Sequence, residues 1–142
     1  MSNATDRSPA ARADGESPFK STGGLARIRN ALGYSLRGLR LAWRVESAFR
    51  QELLLALVLI PIALLLRVSA LERLALIAPV VLVLIVELLN SAVEAAVDRI
   101  SLERHELAGR AKDLGSAAVF LALGLCLLSW VLIAGPVVVT LF

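Results

Sequence analysis

The apolar and polar residues of this chain follow distinct rhythms. Residues 1–24 are polar, rich in Ser, Ala, Pro, Gly and charge, with no apolar period. That stretch reads as a disordered tail. No apolar core follows a short basic start, so it does not read as a secretory signal. From Leu25 to about Glu46 the pattern changes. Leu25, Ile28, Leu32, Leu36, Leu39 and Trp43 recur at spacings of three and four, while Arg27, Arg37, Arg40 and Arg44 mostly take other faces. This spacing predicts an amphipathic helix over 25–46, basic on its polar side. Such a helix suits a membrane interface, with its arginines at headgroup level. A surface helix of a soluble bundle would share the period, and the rest of the chain argues against it.

Three long apolar segments follow, expected as membrane spans over about 47–68, 70–100 and 110–141. The first carries LLLALVLIPIALLL and the second LALIAPVVLVLIV, and from Leu114 to Phe142 no charge occurs. Each is long enough to cross roughly 30 Å of hydrocarbon at about 1.5 Å per residue. Ser69 and Glu72 form an S-x-x-E pattern that predicts a capping box at the start of the second span. The expected fold is an all-α membrane protein: an N-terminal amphipathic surface helix plus three transmembrane helices, one domain over 25–142.

Composition sharpens this picture. The 142 residues are 58% hydrophobic yet only 5% aromatic, and the mean hydropathy is +0.76. The apolar character is therefore aliphatic, as lipid-facing helices need. The single Cys126 cannot form an internal disulfide. The net charge of +3 matters less than its placement. Arg27, Arg29, Arg37, Arg40, Arg44 and Arg50 precede the first span, and Arg99, Arg104, Arg110 and Lys112 lie around the second connection. The first connection has only Arg67 and Arg73. The positive-inside rule predicts a cytoplasmic N-terminus and an outer, periplasmic C-terminus.

The second span carries the candidate chemistry. It reads Glu87-Leu-Leu-Asn90-Ser91-Ala-Val-Glu94-Ala-Ala-Val-Asp98-Arg99. At about 100° per residue, Glu87, Asn90, Ser91, Glu94 and Asp98 fall within roughly 100° of one another. They form one polar stripe on an apolar helix, flanked by Ala92, Ala95 and Ala96, which permit close helix approach. A carboxylate at membrane depth costs roughly 2.5–3.5 kcal/mol at the helix centre. A polar seam that glues helices would do better with one Asn or Ser, because two glutamates on one face repel. The stripe therefore suggests a metal site, a proton site, or both. Oxygen-only ligands favour Mg²⁺ over zinc. Glu46 and Glu52 stand at the start of the first span, where a Glu46–Arg50 surface pair is the plain reading. The polar connection ERHELAGRAKDLG carries Arg110, Lys112 and Asp113, cations that suit phosphates or simply orient the chain. No G-x-x-x-x-G-K-[ST] loop, protein-kinase signature or nucleophile elbow is present. Lone His105 excludes a multi-histidine metal site within one chain.

Four blocks together resemble the prokaryotic diacylglycerol kinases: GYSLRGLRLAW (33–43), ESAFRQE (46–52), ELLNSAVEAAVDR (87–99) and HELAGRAKDLGSAAV (105–119). The resemblance runs from about Leu25 to the end of the third span. Val45 departs from it, where Asn is frequent, as does Arg104, where Tyr is common. The resemblance implies a homotrimer in the bacterial inner membrane, with active sites at subunit interfaces near the cytoplasmic surface. It implies transfer of phosphate from ATP, with Mg²⁺, to the hydroxyl of diacylglycerol. The product would be phosphatidic acid, returned to phospholipid synthesis.

Carried onto matching positions, the resemblance makes Glu87 the general base and gives Mg²⁺ to Glu46 and Glu94. Nucleotide contacts would come from Arg27, Tyr34, Glu46, Asn90, Glu94, Glu103, Arg104, His105, Lys112 and Asp113. The lipid would meet Arg27, Ala31, Leu32, Gly33, Tyr34, Ser35 and Leu36 on the surface helix, then Arg40, Leu41, Ala42 and Trp43. It would continue along Ala48, Phe49, Arg50, Gln51 and Glu52, with Glu87 and Ser116 nearby. No nucleic-acid partner is expected. Two rivals remain. One is the undecaprenol kinase branch of the same family, which the FRQE and GRAKDLGS blocks favour less. The other, of a different class, is a small oligomeric transporter using Glu87 and Glu94 as a proton relay. A non-enzymatic anchor would leave both glutamates without a role.

Overall fold

Without strand-type alternation, a chain this apolar satisfies its backbone groups within helices. The computed structural model describes residues 24–100 and 106–139. The tail expected over 1–24 and the candidate residues Glu103, Arg104 and His105 lie outside the described residues, apart from Gly24. Four helices run in order: α1 Gly24–Val45, α2 Ser47–Leu65, α3 Ala70–Ile100 and α4 Glu106–Val139. No strand occurs among the described residues. The helices α2, α3 and α4 are long and apolar enough to cross a membrane. Each contains a proline, Pro61, Pro79 and Pro136 respectively.

The chain divides into two compact units, with the boundary inside α1 between Leu36 and Arg37. In the first unit, Leu25, Ile28, Leu32 and Leu36 are exposed. Ser35 Oγ donates to the Ala31 carbonyl at 3.1 Å, a bond back along the helix. These apolar positions share one face of the helix, which nothing in the first unit covers.

The second unit holds the packed spans. Helix α3 is central and packs against both α2 and α4. One apolar cluster joins Ala56 of α2, Val80 and Val83 of α3, and Ala122 and Cys126 of α4. A second joins Ala63, Leu76 and Ala134. Small residues at both clusters let the helices approach closely. Trp130 borders both clusters, and its Nε1 donates to the Leu76 carbonyl at 3.1 Å, tying α4 to α3. Large aliphatic residues elsewhere on the spans, such as Leu57, Leu121 and Leu132, face outward.

Local chemistry makes the turns. Glu46 alone is extended between α1 and α2 (φ −93°, ψ 114°) and makes no side-chain cap. Arg50 does not take the expected pairing with Glu46. Its Nη1 donates to the carbonyls of Trp43 at 3.2 Å and Arg44 at 3.3 Å. Those last-turn carbonyls lack helical partners, and a cation suits the negative end of α1. At the other turn the capping box forms. The Ser69 backbone N–H donates to Glu72 Oε2 at 2.8 Å, and the Glu72 N–H donates to Ser69 Oγ at 3.2 Å. Arg73 then donates to the carbonyls of Ala63, Leu66 and Val68, at 3.3, 3.2 and 3.4 Å. One guanidinium thus serves the end of α2 and the connection after it.

Helix α4 starts at Glu106, so the polar stretch through Asp113 is helical rather than connecting loop. Helix α3 has 31 residues, about 46 Å at the ordinary helical rise. That exceeds the hydrocarbon thickness, and Glu87 lies about 25 Å along it. The polar stripe therefore occupies the C-terminal half of a helix longer than the apolar layer is thick.

Candidate functional site

The stripe of α3 opens into a cavity of about 300 Å³ in the second unit. Glu87, Asn90, Ser91 and Glu94 come from α3, Ser116 and Val119 from α4, and Ser47 and Ala48 from α2. Glu46 completes the lining from the extended residue between α1 and α2. Because Glu46 does not cap α2, its carboxylate is left to the cavity. The helical period brings the α3 residues to one face, and the packing of α4 supplies the opposite wall.

Glu87 is 5% exposed, the buried charged residue among those described. Glu46 and Glu94 are part-exposed. Both act electrostatically on Glu87, so the three carboxylates form one cluster of like charge. Such a cluster persists where a cation, a proton or a fixed dipole offsets it. Asn90 supplies one dipole: its Nδ2 donates to Glu94 Oε1 at 3.0 Å. The Asn90 Oδ1 is buried without a hydrogen-bond partner. On the other side of that oxygen lies Gly115 of α4, where a Cβ would overlap Oδ1.

The chemistry of this donor set fits Mg²⁺ in one particular way. Among the described residues, no three His, Cys, Asp or Glu side chains converge as a ready-made metal cage. Mg²⁺ commonly takes one or two carboxylates and fills its octahedron with water and substrate phosphate oxygens. Glu46 and Glu94, part-exposed in one cavity, match that demand; a site enclosed by protein ligands does not.

The remaining candidates fall in several places. Lys112 Nζ lies 2.6 Å from Asp98 Oδ1, across the α3–α4 pair, and Asp113 is exposed on α4. Glu52 sits beside the main cavity: it lines a small apolar pocket with Ala56, Val83 and Cys126, feels the charge of Glu87, and keeps Oε2 buried without a partner. Leu41 and Ala42 line a groove with Gly38, Leu88, Ala92 and Ala95. Phe49 is buried, Arg50 serves the carbonyls of α1, and Gln51, Arg40 and Trp43 are exposed. Arg27, Ala31, Leu32, Gly33, Tyr34, Ser35 and Leu36 belong to the first unit.

The helical period placed Ser91 and Asp98 on the polar stripe without giving either a role; Ser91 lines the cavity, and Asp98 pairs with Lys112 outside its lining. Ser47 and Val119 carried no signal. Gly115 stood out only as a glycine inside an otherwise regular helix.

Comparison with known proteins converges on one family. Residues 33–134 match prokaryotic diacylglycerol kinase, including every α2, α3 and α4 residue that lines the cavity. A diacylglycerol kinase of Pseudomonas aeruginosa is 60% identical over 114 residues, covering 80% of this chain and 93% of the relative. One from Escherichia coli K12 is 54% identical over 110 residues, covering 78% and 90%. One from Haemophilus influenzae is 51% identical over 112 residues, covering 79% and 94%. With a matching region of this extent, three membrane-length helices and a carboxylate-lined cavity between them, the chain belongs to the prokaryotic diacylglycerol kinase family of membrane-embedded lipid kinases.

Proposed function

We propose that this protein transfers the γ-phosphoryl group of ATP to the free hydroxyl of diacylglycerol, giving phosphatidic acid and ADP, with Glu87 as general base. The observation that carries this reading is the burial of Glu87 among Glu46, Asn90 and Glu94 in one cavity. Phosphoryl transfer depends mainly on positioning and charge neutralisation. The lipid hydroxyl rests at the membrane boundary, and on this reading the stripe begins there. The Glu87 carboxylate takes the hydroxyl proton as the lipid oxygen bonds to the γ-phosphorus and the bond to ADP breaks. Asn90 holds Glu94 through its amide, so the two act as one positioned unit. Glu46 and Glu94 would hold Mg²⁺, which when bound offsets the charge of the transferring phosphate. Lys112 and Asp113 would meet the nucleotide, and the surface helix with the start of α2 would meet the lipid.

On the same reading, residues 25–142 form the kinase domain, with the N-terminus in the cytoplasm and the C-terminus in the periplasm. The arginine-rich start of the chain supports that orientation. A homotrimer with interfacial sites is consistent with the exposed Ala92, Ala95 and Ala96 beside the stripe, where close helix approach is possible. The test is phosphate transfer from labelled ATP by purified protein in mixed micelles with Mg²⁺, offering diacylglycerol and undecaprenol together. Preferential labelling of diacylglycerol is expected. Preferential labelling of undecaprenol would reassign the acceptor, and labelling of neither would overturn the kinase reading.

A further inference from the structure

Lys112 has a partner before any nucleotide arrives. Its ammonium lies 2.6 Å from Asp98 Oδ1, and the two side chains are 40% and 58% exposed. Asp98 stands one helical turn beyond Glu94 on α3, on the same stripe as the cavity residues. Glu94 also acts on the Lys112 ammonium. The lysine therefore pairs with Asp98 while feeling the charge of Glu94, whose carboxylate is tied to Asn90. An exposed ion pair of this kind contributes little to stability, and water or another anion exchanges with it readily. A polyphosphate offers more charge and more acceptor oxygens than a single carboxylate.

We infer that Asp98 is a positioning residue for the nucleotide: it holds Lys112 at the rim of the carboxylate stripe and gives the lysine up to the ATP phosphates on binding. This rests on the reading that Lys112 contacts the nucleotide. Asp98 holds the long lysine side chain beside the stripe but must be displaced by the phosphates, so the ion pair lowers nucleotide affinity by about what the pair is worth. Its carboxylate also repels incoming phosphate, but that effect does not require Lys112. The two contributions separate in a double-mutant cycle.

The experiment measures the dissociation constant of a non-hydrolysable ATP analogue with Mg²⁺ on full-length protein in mixed micelles, for wild type, Asp98→Asn, Lys112→Met and the double variant. Lys112→Met should weaken binding about ten-fold or more. Asp98→Asn should tighten binding about two- to five-fold, the range an exposed ion pair spans. In the Lys112→Met background, Asp98→Asn should change binding little. Asp98→Glu should restore wild-type affinity. If Lys112→Met leaves affinity unchanged, the nucleotide role of Lys112 fails and this inference with it. If Lys112→Met weakens binding but Asp98→Asn does not tighten it, only the inference fails. Equal tightening in both backgrounds would reduce Asp98 to a source of repulsion and also overturn it. A lowered melting temperature in Asp98→Asn with unchanged affinity would make the pair a structural link between α3 and α4.

Discussion

Gly115 and Asn90 meet where α4 crosses the polar stripe of α3, so closely that a Cβ on residue 115 would overlap the Asn90 Oδ1. The conflict is with the tip of a side chain; the Asn90 Cα lies 3.9 Å from the same Cβ position, an ordinary contact. A methyl group at 115 would therefore turn the amide and leave the helix packing in place. The amide it would turn is the one that donates to Glu94.

Gly115→Ala should accordingly lower kcat by on the order of ten- to hundred-fold, because small misplacements at a reacting centre cost that much. Stability should change by less than about 1 kcal/mol, since alanine favours the helix by a similar amount. Gly124→Ala, which meets open space in the chain, is the control. Parallel kcat and thermal-unfolding measurements check this; equal losses of both in Gly115→Ala would mean a packing defect.

Glu46→Gln and Glu94→Gln should each raise the Mg²⁺ concentration for half-maximal phosphate transfer by at least about ten-fold. Removing one of two carboxylates leaves a cation held mainly by substrate phosphates. Mg²⁺ titrations at saturating ATP measure this, and an unchanged midpoint would remove these residues from the metal site.

Arg73→Met should destabilise the fold by about 2–3 kcal/mol, since it strips a charged donor from three part-buried carbonyls at once. Michaelis constants for ATP and lipid should hold at permissive temperature, because Arg73 lies at the opposite end of α3 from the stripe. Detergent-based unfolding curves alongside steady-state kinetics check both statements. A raised KM with unchanged stability would contradict the capping role.

What was legible in the sequence was local. The Ser69–Glu72 box depends on residues three apart, and it forms. The polar stripe depends on the helical period alone, and Glu87, Asn90, Ser91 and Glu94 do share one cavity. The four-helix all-α architecture followed from run lengths and periodicity. Contacts that depend on the register between helices were not legible. Nothing in the spacing of Lys112 points to Asp98, or of Trp130 to the Leu76 carbonyl. Arg50 shows the same limit at short range. Its spacing from Glu46 suggested an ion pair, but the extended Glu46 backbone ends α1 there and leaves carbonyls that draw the guanidinium instead. Helix α4 extends back to Glu106 because charge alone does not end a helix once its residues have left the apolar layer.

Removal of the lipid proton by the buried Glu87 carboxylate is read from kcat for diacylglycerol phosphorylation by Glu87→Gln, with melting temperature and ATP-analogue affinity recorded on the same preparation. Loss of a general base predicts a fall of roughly 10²–10⁴-fold in kcat, with folding and nucleotide affinity preserved. Turnover within about ten-fold of wild type would contradict the account and return the stripe to a packing or ion-conducting role.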